Sequence, residues 1–258
     1  MTHFKVVIPA RYAATRLPGK PLRMLAGKPM IQHVYERATD SGADEVLIAT
    51  DDERIRDAAA QFGAQVCMTS PQHRSGTERL SEVARHRDYA ADTIVVNLQG
   101  DEPLLPPSLI RQVAEDLAAH PQASIATLCA PLTRAAQLFD PNVVKLVMDQ
   151  VGFALYFSRA PIPWDRERFG ATPRQWDADS DYFRHIGLYA YRCGFLTEYV
   201  DRPACRLEQL ESLEQLRALW YGYRIHVAHA AVEPEAGVDT EEDLLRVESI
   251  LRGQAAGA

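Results

Sequence analysis

Five short strand-like runs, at residues 5–8, 46–50, 65–68, 93–98 and 124–129, alternate with stretches of helical periodicity through the first half of the chain. Strands separated by helices pair side by side only if each helix crosses back over the sheet, so this alternation predicts an α/β fold with a parallel sheet covered on both faces. The helices have local causes. Pro29 suits a first turn, where its missing N–H costs nothing, and Ile31, Val34, Tyr35 and Ala38 follow at near-helical spacing. Gly63 stands where a helix begun at Asp52 would stop, and Pro107 opens another whose Leu109, Ile110, Val113 and Leu117 share one face. Beyond Pro141 the pattern changes, with strands expected at 143–148, 153–158, 183–192 and 224–228 around one helix at 207–220, some of them pairing antiparallel. Residues 166–181 are charged, carry Gly170 and Pro173, and predict a loop; the small residues after Arg252 predict a frayed tail at 253–258. With no internal repeat and no linker, residues 1–252 are expected to form a single domain.

Charge is distributed unevenly. The chain carries a formal net charge of -7, yet Lys5, Arg11, Arg16, Lys20, Arg23 and Lys28 precede its first acidic residue. An acidic chain lacks the distributed cations that give general affinity for nucleic acid, so that class of partner is set aside. The local positive charge falls in VVIPARYAATRLPGKPL, directly after the first strand, and ligands of open α/β sheets bind at the carboxyl ends of the strands. Arg11, Arg16 and Lys20 can therefore converge on phosphate, the arginines as forks and the lysine as a point charge. The segment is neither a Walker A loop nor GxGxxG, and taken by itself it also suits a solvated basic loop. Cys67, Cys129, Cys193 and Cys205 have no paired spacing, which fits reduced thiols and argues against a zinc site built on cysteine. The N-terminus enters a strand at once and no apolar run approaches the roughly 18 residues of a membrane span, so a cytoplasmic protein is expected.

Two acidic positions stand out. VVNLQGDEP closes the fourth strand and brings Asp101 out at the same sheet edge as the basic loop; Asp239, in GVDT, precedes a last helix marked by Leu244, Val247 and Leu251. Asp239 could be that helix's cap, but Thr240 with Asp243 can form a capping box instead. Mg2+ suits one or two carboxylates completed by substrate phosphate oxygens. In FRHIGLYAYR, alternation puts His185, Gly187, Tyr189 and Tyr191 on one face, polar or simply exposed, with His185 and Tyr189 roughly 13 Å apart along a regular strand. HIGL departs from the HIGH signature at Leu188. His226 and His229 fall on opposite faces of a strand and are not expected to share a metal.

Seven segments in order, VVIPARYAATRLPGKPL, HRSGTERL, NLQGDEP, SRAPIPW, FRHIGLYAYR, ESLEQLR and GVDT, closely resemble those of the 3-deoxy-manno-octulosonate (KDO) cytidylyltransferase family over nearly all of residues 4–251. The resemblance implies a Rossmann-like nucleotidyltransferase fold of glycosyltransferase-A type, with a mixed, mainly parallel sheet, helices on both faces and an acceptor-binding and dimerisation subregion at about 150–225. It also implies a cytoplasmic homodimer that uses Mg2+ to make CMP-KDO and pyrophosphate from CTP and KDO for lipopolysaccharide. Carried over, Arg11, Arg16 and Lys20 look like triphosphate ligands, Ser75, Gly76, Arg79 and Asp101 help hold CTP, Asp101 and Asp239 look like the metal carboxylates, and Arg11, Lys20, Asp101 and Asp239 form the catalytic set. Gln99, Arg159, His185, Tyr189, Glu214 and Gln215 correspond to the sugar side. A cytidylyltransferase for another acidic sugar is the nearest rival reading.

Overall fold

A computed structural model describes residues 2–13, 17–169 and 182–256. Its strands are β1 (Lys5–Ala10), β2 (Met24–Leu25), β3 (Lys28–Pro29), β4 (Glu45–Thr50), β5 (Gln65–Met68), β6 (Ile94–Asn97), β7 (Ile125–Pro131), β8 (Lys145–Met148), β9 (Ala154–Ser158), β10 (Phe183–Arg192) and β11 (Ile225–His229). The helices are α1 (Met30–Asp40), α2 (Glu53–Gln61), α3 (Gly76–His86), α4 (Pro107–Ala119), α5 (Ala135–Phe139), α6 (Cys193–Tyr199), α7 (Arg206–Glu211), α8 (Gln215–Trp220) and α9 (Glu241–Ala256).

One sheet runs in the order β11-β7-β10-β6-β1-β4-β5, and β8 and β9 extend it from β10. Pairs β1–β4, β1–β6, β4–β5 and β7–β11 are parallel, whereas β10 runs antiparallel between β6 and β7. The crossover helices expected from the sequence lie on both faces. Ile31 and Val34 of α1, Ile55 of α2 and Leu109, Ile110, Val113 and Leu117 of α4 pack with Val6, Ile8 and Val96 on one side. Leu80 and Val83 of α3, Phe195 and Leu196 of α6 and Leu216 of α8 pack with Val7, Leu47 and Val95 on the other. Alternate residues of β1 thus serve opposite layers, as a two-faced strand requires, and each fully buried Leu, Ile or Val contributes about 1.5–3 kcal/mol.

Three expectations need correcting. The helix expected at 207–220 is two helices, because Ser212 takes a left-handed conformation at φ +51° and turns the chain between α7 and α8. Helix α9 continues to Ala256, past Arg252 where fraying was expected, and 257–258 lie outside the described residues. The loop expected at 166–181 is turn as far as Phe169; its remainder, 170–181, also lies outside them. Strands of the second half join the first half's sheet, so the elaboration at 150–225 extends a shared core.

Candidate active site

After β1 the chain bends back on itself: the Gly19 N–H donates to the Tyr12 carbonyl at 3.1 Å, and Gly19, at φ +66°, opens a short turn of 3-10 helix at Lys20–Leu22. That turn aims Lys20 across the sheet edge. Its Nζ donates to Asp101 Oδ2 at 2.7 Å, to the Val238 carbonyl at 2.9 Å and to Asp239 Oδ1 at 3.1 Å. Burial by itself would lower the Lys20 pKa, but attraction to Asp101 and Asp239, with their hydrogen bonds, outweighs it and holds the ammonium above its ordinary value. Residues 101 and 239 are thus brought to one point.

The backbone makes this convergence. The Val238 N–H donates to the Asp101 carbonyl at 2.9 Å, and a Cβ at Gly237 would lie 2.8 Å from Glu102 Oε1 and 3.0 Å from the Asp101 carbonyl, so only glycine allows the two strips of chain to run this close. Thr240 and Asp243 form the expected capping box, with Asp243 N donating to Thr240 Oγ1 at 3.2 Å and Thr240 N to Asp243 Oδ2 at 3.0 Å. Asp239 is therefore not the cap, and its carboxylate turns to Lys20. Arg23 forks Glu241 at 2.6 and 2.8 Å on the surface, tying the basic loop to the start of α9.

Two cavities meet here. One of about 170 Å3 is lined by Arg11, Lys20, Gly76, Gln99 and Asp101; a larger one of about 580 Å3 by Gln99, Glu102, Gln137, Arg184, His185 and Glu233. Gln99 belongs to both, and its side-chain amide donates to Asn97 at 3.1 Å. Arg11 Nη2 is buried with no hydrogen-bond partner among the described residues, an unspent donor of the kind that an anionic oxygen would satisfy. Between two carboxylates already shared by one cation there is an all-oxygen donor set that fits Mg2+.

The chain is matched over residues 5–225 by the cytidylyltransferase family. It is 61% identical to the 3-deoxy-manno-octulosonate cytidylyltransferase of Aeromonas hydrophila over 252 residues, covering 96% of this chain and 98% of that one. It is 60% identical to the enzyme of the same name from Nitrosococcus oceani over 249 residues, 96% of each. The chain belongs to the cytidylyltransferase family. Among solved structures, a CMP:2-keto-3-deoxy-manno-octonic acid synthetase complexed with CTP superposes with a TM-score of 0.88 at 42% identity, covering 98% of this chain and 100% of that one. A nucleotidyl transferase from Methanothermobacter thermautotrophicus shares the fold, with a TM-score of 0.58 at 16% identity over 97% of this chain and 99% of its own.

The remaining expected site residues divide in this cytidylyltransferase. Ser75 caps α3, accepting from Glu78 N at 3.2 Å, and its hydroxyl donates to Glu214 Oε1 at 3.1 Å. Arg79, expected to contact CTP, is fully buried, where it pairs with Asp51 at 3.0 Å and hydrogen-bonds Thr69 at the ends of β4 and β5. Arg159 lies outside both cavities, with its guanidinium spent on the carbonyls of Glu211 at 2.6 Å and Pro141 at 2.9 Å. Tyr189, Glu214 and Gln215 do not line the large cavity but surround a small pocket of about 30 Å3 shared with Thr77 and Tyr191. Burial raises the Glu214 carboxyl despite hydrogen bonds from Thr77 and Ser75. Arg16 lies outside the described residues.

The side chains of His185 and Tyr189 are not held apart as a regular strand would hold them. Their ring centroids are 5.2 Å apart, because the β10–β7 register slips between Ile186 and Tyr189. The slip is held by Thr127 of β7, whose Oγ1 lies 2.8 Å from His185 Nε2, 3.1 Å from the Ile186 carbonyl and 2.8 Å from the Leu188 carbonyl. Carbonyls only accept, so the hydroxyl proton goes to one of them and the hydroxyl oxygen accepts from the His185 Nε2–H. Burial drives the His185 pKa down to about 3, so the ring is neutral, with its lone pair on Nδ1. Thr127 was not singled out in the sequence, where a threonine in a strand carries no signal of this role. Glu102 was missed as well: burial, then the charges of Asp101 and Asp239, push its carboxyl up to about 8.

Proposed function

We propose that this chain transfers the cytidylyl group of CTP to KDO, giving CMP-KDO and pyrophosphate. The observation that carries the reading is the meeting of Lys20, Asp101 and Asp239 beside Gln99, where a cationic pocket opens into a cavity of about 580 Å3 that suits a sugar acid. Arg11 and Lys20 hold the phosphates of CTP at the end of β1, with Arg16, and Ser75 and Gly76 at the head of α3 support the nucleotide. Asp101 and Asp239 are the residues that would hold Mg2+, which, when bound, supplies positive charge to phosphate oxygens during the transfer. The anomeric hydroxyl of KDO gives up its proton to solvent and its oxygen bonds to the α-phosphorus as the bond to the pyrophosphate oxygen breaks, so the protein's task is alignment and neutralisation of spreading charge. Gln99 stands between donor and acceptor, and neutral His185 offers Nδ1 to a sugar hydroxyl. Tyr189, Glu214 and Gln215 back that wall, and Arg159 fixes the turn after α7.

No helix among the described residues is long and apolar enough to cross a membrane. We place the enzyme in the cytoplasm as a homodimer, because Val151, Leu155, Trp164, Leu210 and Trp220 are exposed large apolar side chains within about 150–225, a surface suited to a second copy. Sedimentation would check that assignment. The function is tested by following pyrophosphate release from CTP and Mg2+ with KDO, sialic acid or no acceptor. Product with KDO at a far higher kcat/KM is expected; equal or better turnover with sialic acid would replace the acceptor, and no product with any sugar acid would sink the reading.

A further inference from the structure

Away from the active site, Asp116 and the capping residue His120 stand one turn apart at the end of α4, and His226 reaches them from the second position of β11. This is the amino-terminal end of strands whose carboxyl ends lead to Gln99 and Asp101. His226 Nδ1 lies 2.7 Å from Asp116 Oδ2 and His120 Nδ1 lies 3.4 Å from Asp116 Oδ1, and one ligand atom from each of the three falls within 4.8 Å of the others. No other group of three such residues meets that condition among the described residues.

We propose that Asp116, His120 and His226 bind one divalent transition-metal ion of the Zn2+ class. The chemistry of His226 leads to this. Its Nε2 is 3.2 Å from the Val151 carbonyl, an acceptor, so Nε2 carries the proton. That is the outer hydrogen bond that ordinarily orients a metal-binding imidazole and leaves the other nitrogen as ligand. The remaining nitrogen, Nδ1, faces a carboxylate oxygen at 2.7 Å, and between those two atoms only a proton or a cation can lie. Metal uptake displaces that proton to solvent as Nδ1 and the carboxylate oxygen part to roughly 3.3 Å, the separation of two ligands on a tetrahedral ion. Two imidazoles and one carboxylate form a borderline-soft set that selects Zn2+, Co2+ or Ni2+ over Mg2+, with a further position open to water.

Access and movement are available on one side. Asp116 and His226 are largely buried, whereas the His120 side chain is 32% exposed at the helix end. The two imidazoles stack at 3.4 Å with planes 16° apart, so their ring nitrogens do not converge on one point until His120 swings about its own side-chain bonds. Its present bond, from Nδ1 to the Asp116 carbonyl at 2.8 Å, is at a helix end that solvent can satisfy. Phe153 packs edge-on against both rings and carries the Arg224 guanidinium on its face, 3.5 Å from the centroid, so the nearby cation is separated from the site by an aromatic ring. An ion here would pin α4 to the edge strand.

The test is titration of the full chain with Co2+ in the presence of excess Mg2+, which occupies the oxygen site at Asp101 and Asp239. Growth of the visible absorption of nitrogen-ligated Co2+ to one equivalent, displaced by Zn2+ and accompanied by proton release, is expected. His120→Ala, which removes only a rim side chain, and Asp116→Asn, which keeps its shape, should each weaken uptake at least about tenfold. No Co2+ uptake by the wild-type chain, or uptake unchanged in both variants, would overturn the proposal.

Discussion

The proposed donor and acceptor sides of the active site are built on opposite principles. Around Lys20 the partners are charged and in reach of solvent, and three stretches of chain more than 80 residues apart are drawn together by one ammonium. Around His185 the partners are neutral and buried, and the geometry comes from a slip in strand pairing that a single hydroxyl stabilises. Charge can wait at a surface for a phosphate to complete it. A hydrogen-bonded wall that reads hydroxyl groups must be finished before the ligand arrives, because a buried donor or acceptor without a partner costs about 1–3 kcal/mol.

Asp101→Asn attacks the first principle most directly. If Asp101 acts at the reacting centre as proposed, the variant should lower kcat by about 10²–10³-fold at saturating Mg2+ while leaving the melting curve nearly unchanged, since only charge is lost. Near-normal turnover would break the contrast. Gly237→Ala displaces the Asp239 strip without removing any charged group, because its methyl meets the Glu102 carboxyl oxygen and the Asp101 carbonyl. A misplacement of about 1 Å predicts about a 10²-fold loss in pyrophosphate release.

On the acceptor side, Thr127→Val should cost about 1–3 kcal/mol in urea unfolding and raise KM for the sugar acid more than KM for CTP. Thr127→Ser should restore both, and the ¹⁵N shifts of His185 should report loss and return of the Nε2–H form. Acid stability sharpens the same point. His185 titrates near 6.5 when unfolded and near 3 when folded, so below pH 6.5 the unfolded chain binds the extra proton; the stability from this group is complete above that pH and drains away toward pH 3. His185→Gln should flatten that part of the curve, as urea midpoints measured across the window would reveal. The smallest effect belongs to the surface: Glu241→Ala removes the Arg23 clamp but leaves Lys20 with its three acceptors, so kcat should be indistinguishable from wild type.

The same division governs what can be read from the chain. Runs of Val, Ile and Leu mark β1, β4, β6 and β7 because burial on both faces leaves a continuous apolar signature, and Pro29 and Pro107 mark helix starts because a missing N–H is harmless only there. The capping box at Thr240 and Asp243 is local, and so it is legible and correctly releases Asp239. The slip in β10 is not, because its cause sits on another strand. Regular spacing then places His185 and Tyr189 far apart, when their rings touch. Ser212 hides for a related reason: four leucines at three-residue spacing describe a helix, and only the packing of α8 against the sheet and Arg159's grip on the Glu211 carbonyl before the turn demand the break. Arg79 enters as a CTP contact only through the resemblance of the segment it closes; its burial against Asp51 becomes visible only with β4 in place.

Gln99 lines both cavities, and that has a consequence for chemical design. A single inhibitor that joins a nucleotide mimic to a sugar-acid mimic must thread its linker past one carboxamide, so the gate's width caps the linker's bulk, and shrinking that side chain to alanine should admit bulkier bridged compounds than the native enzyme tolerates.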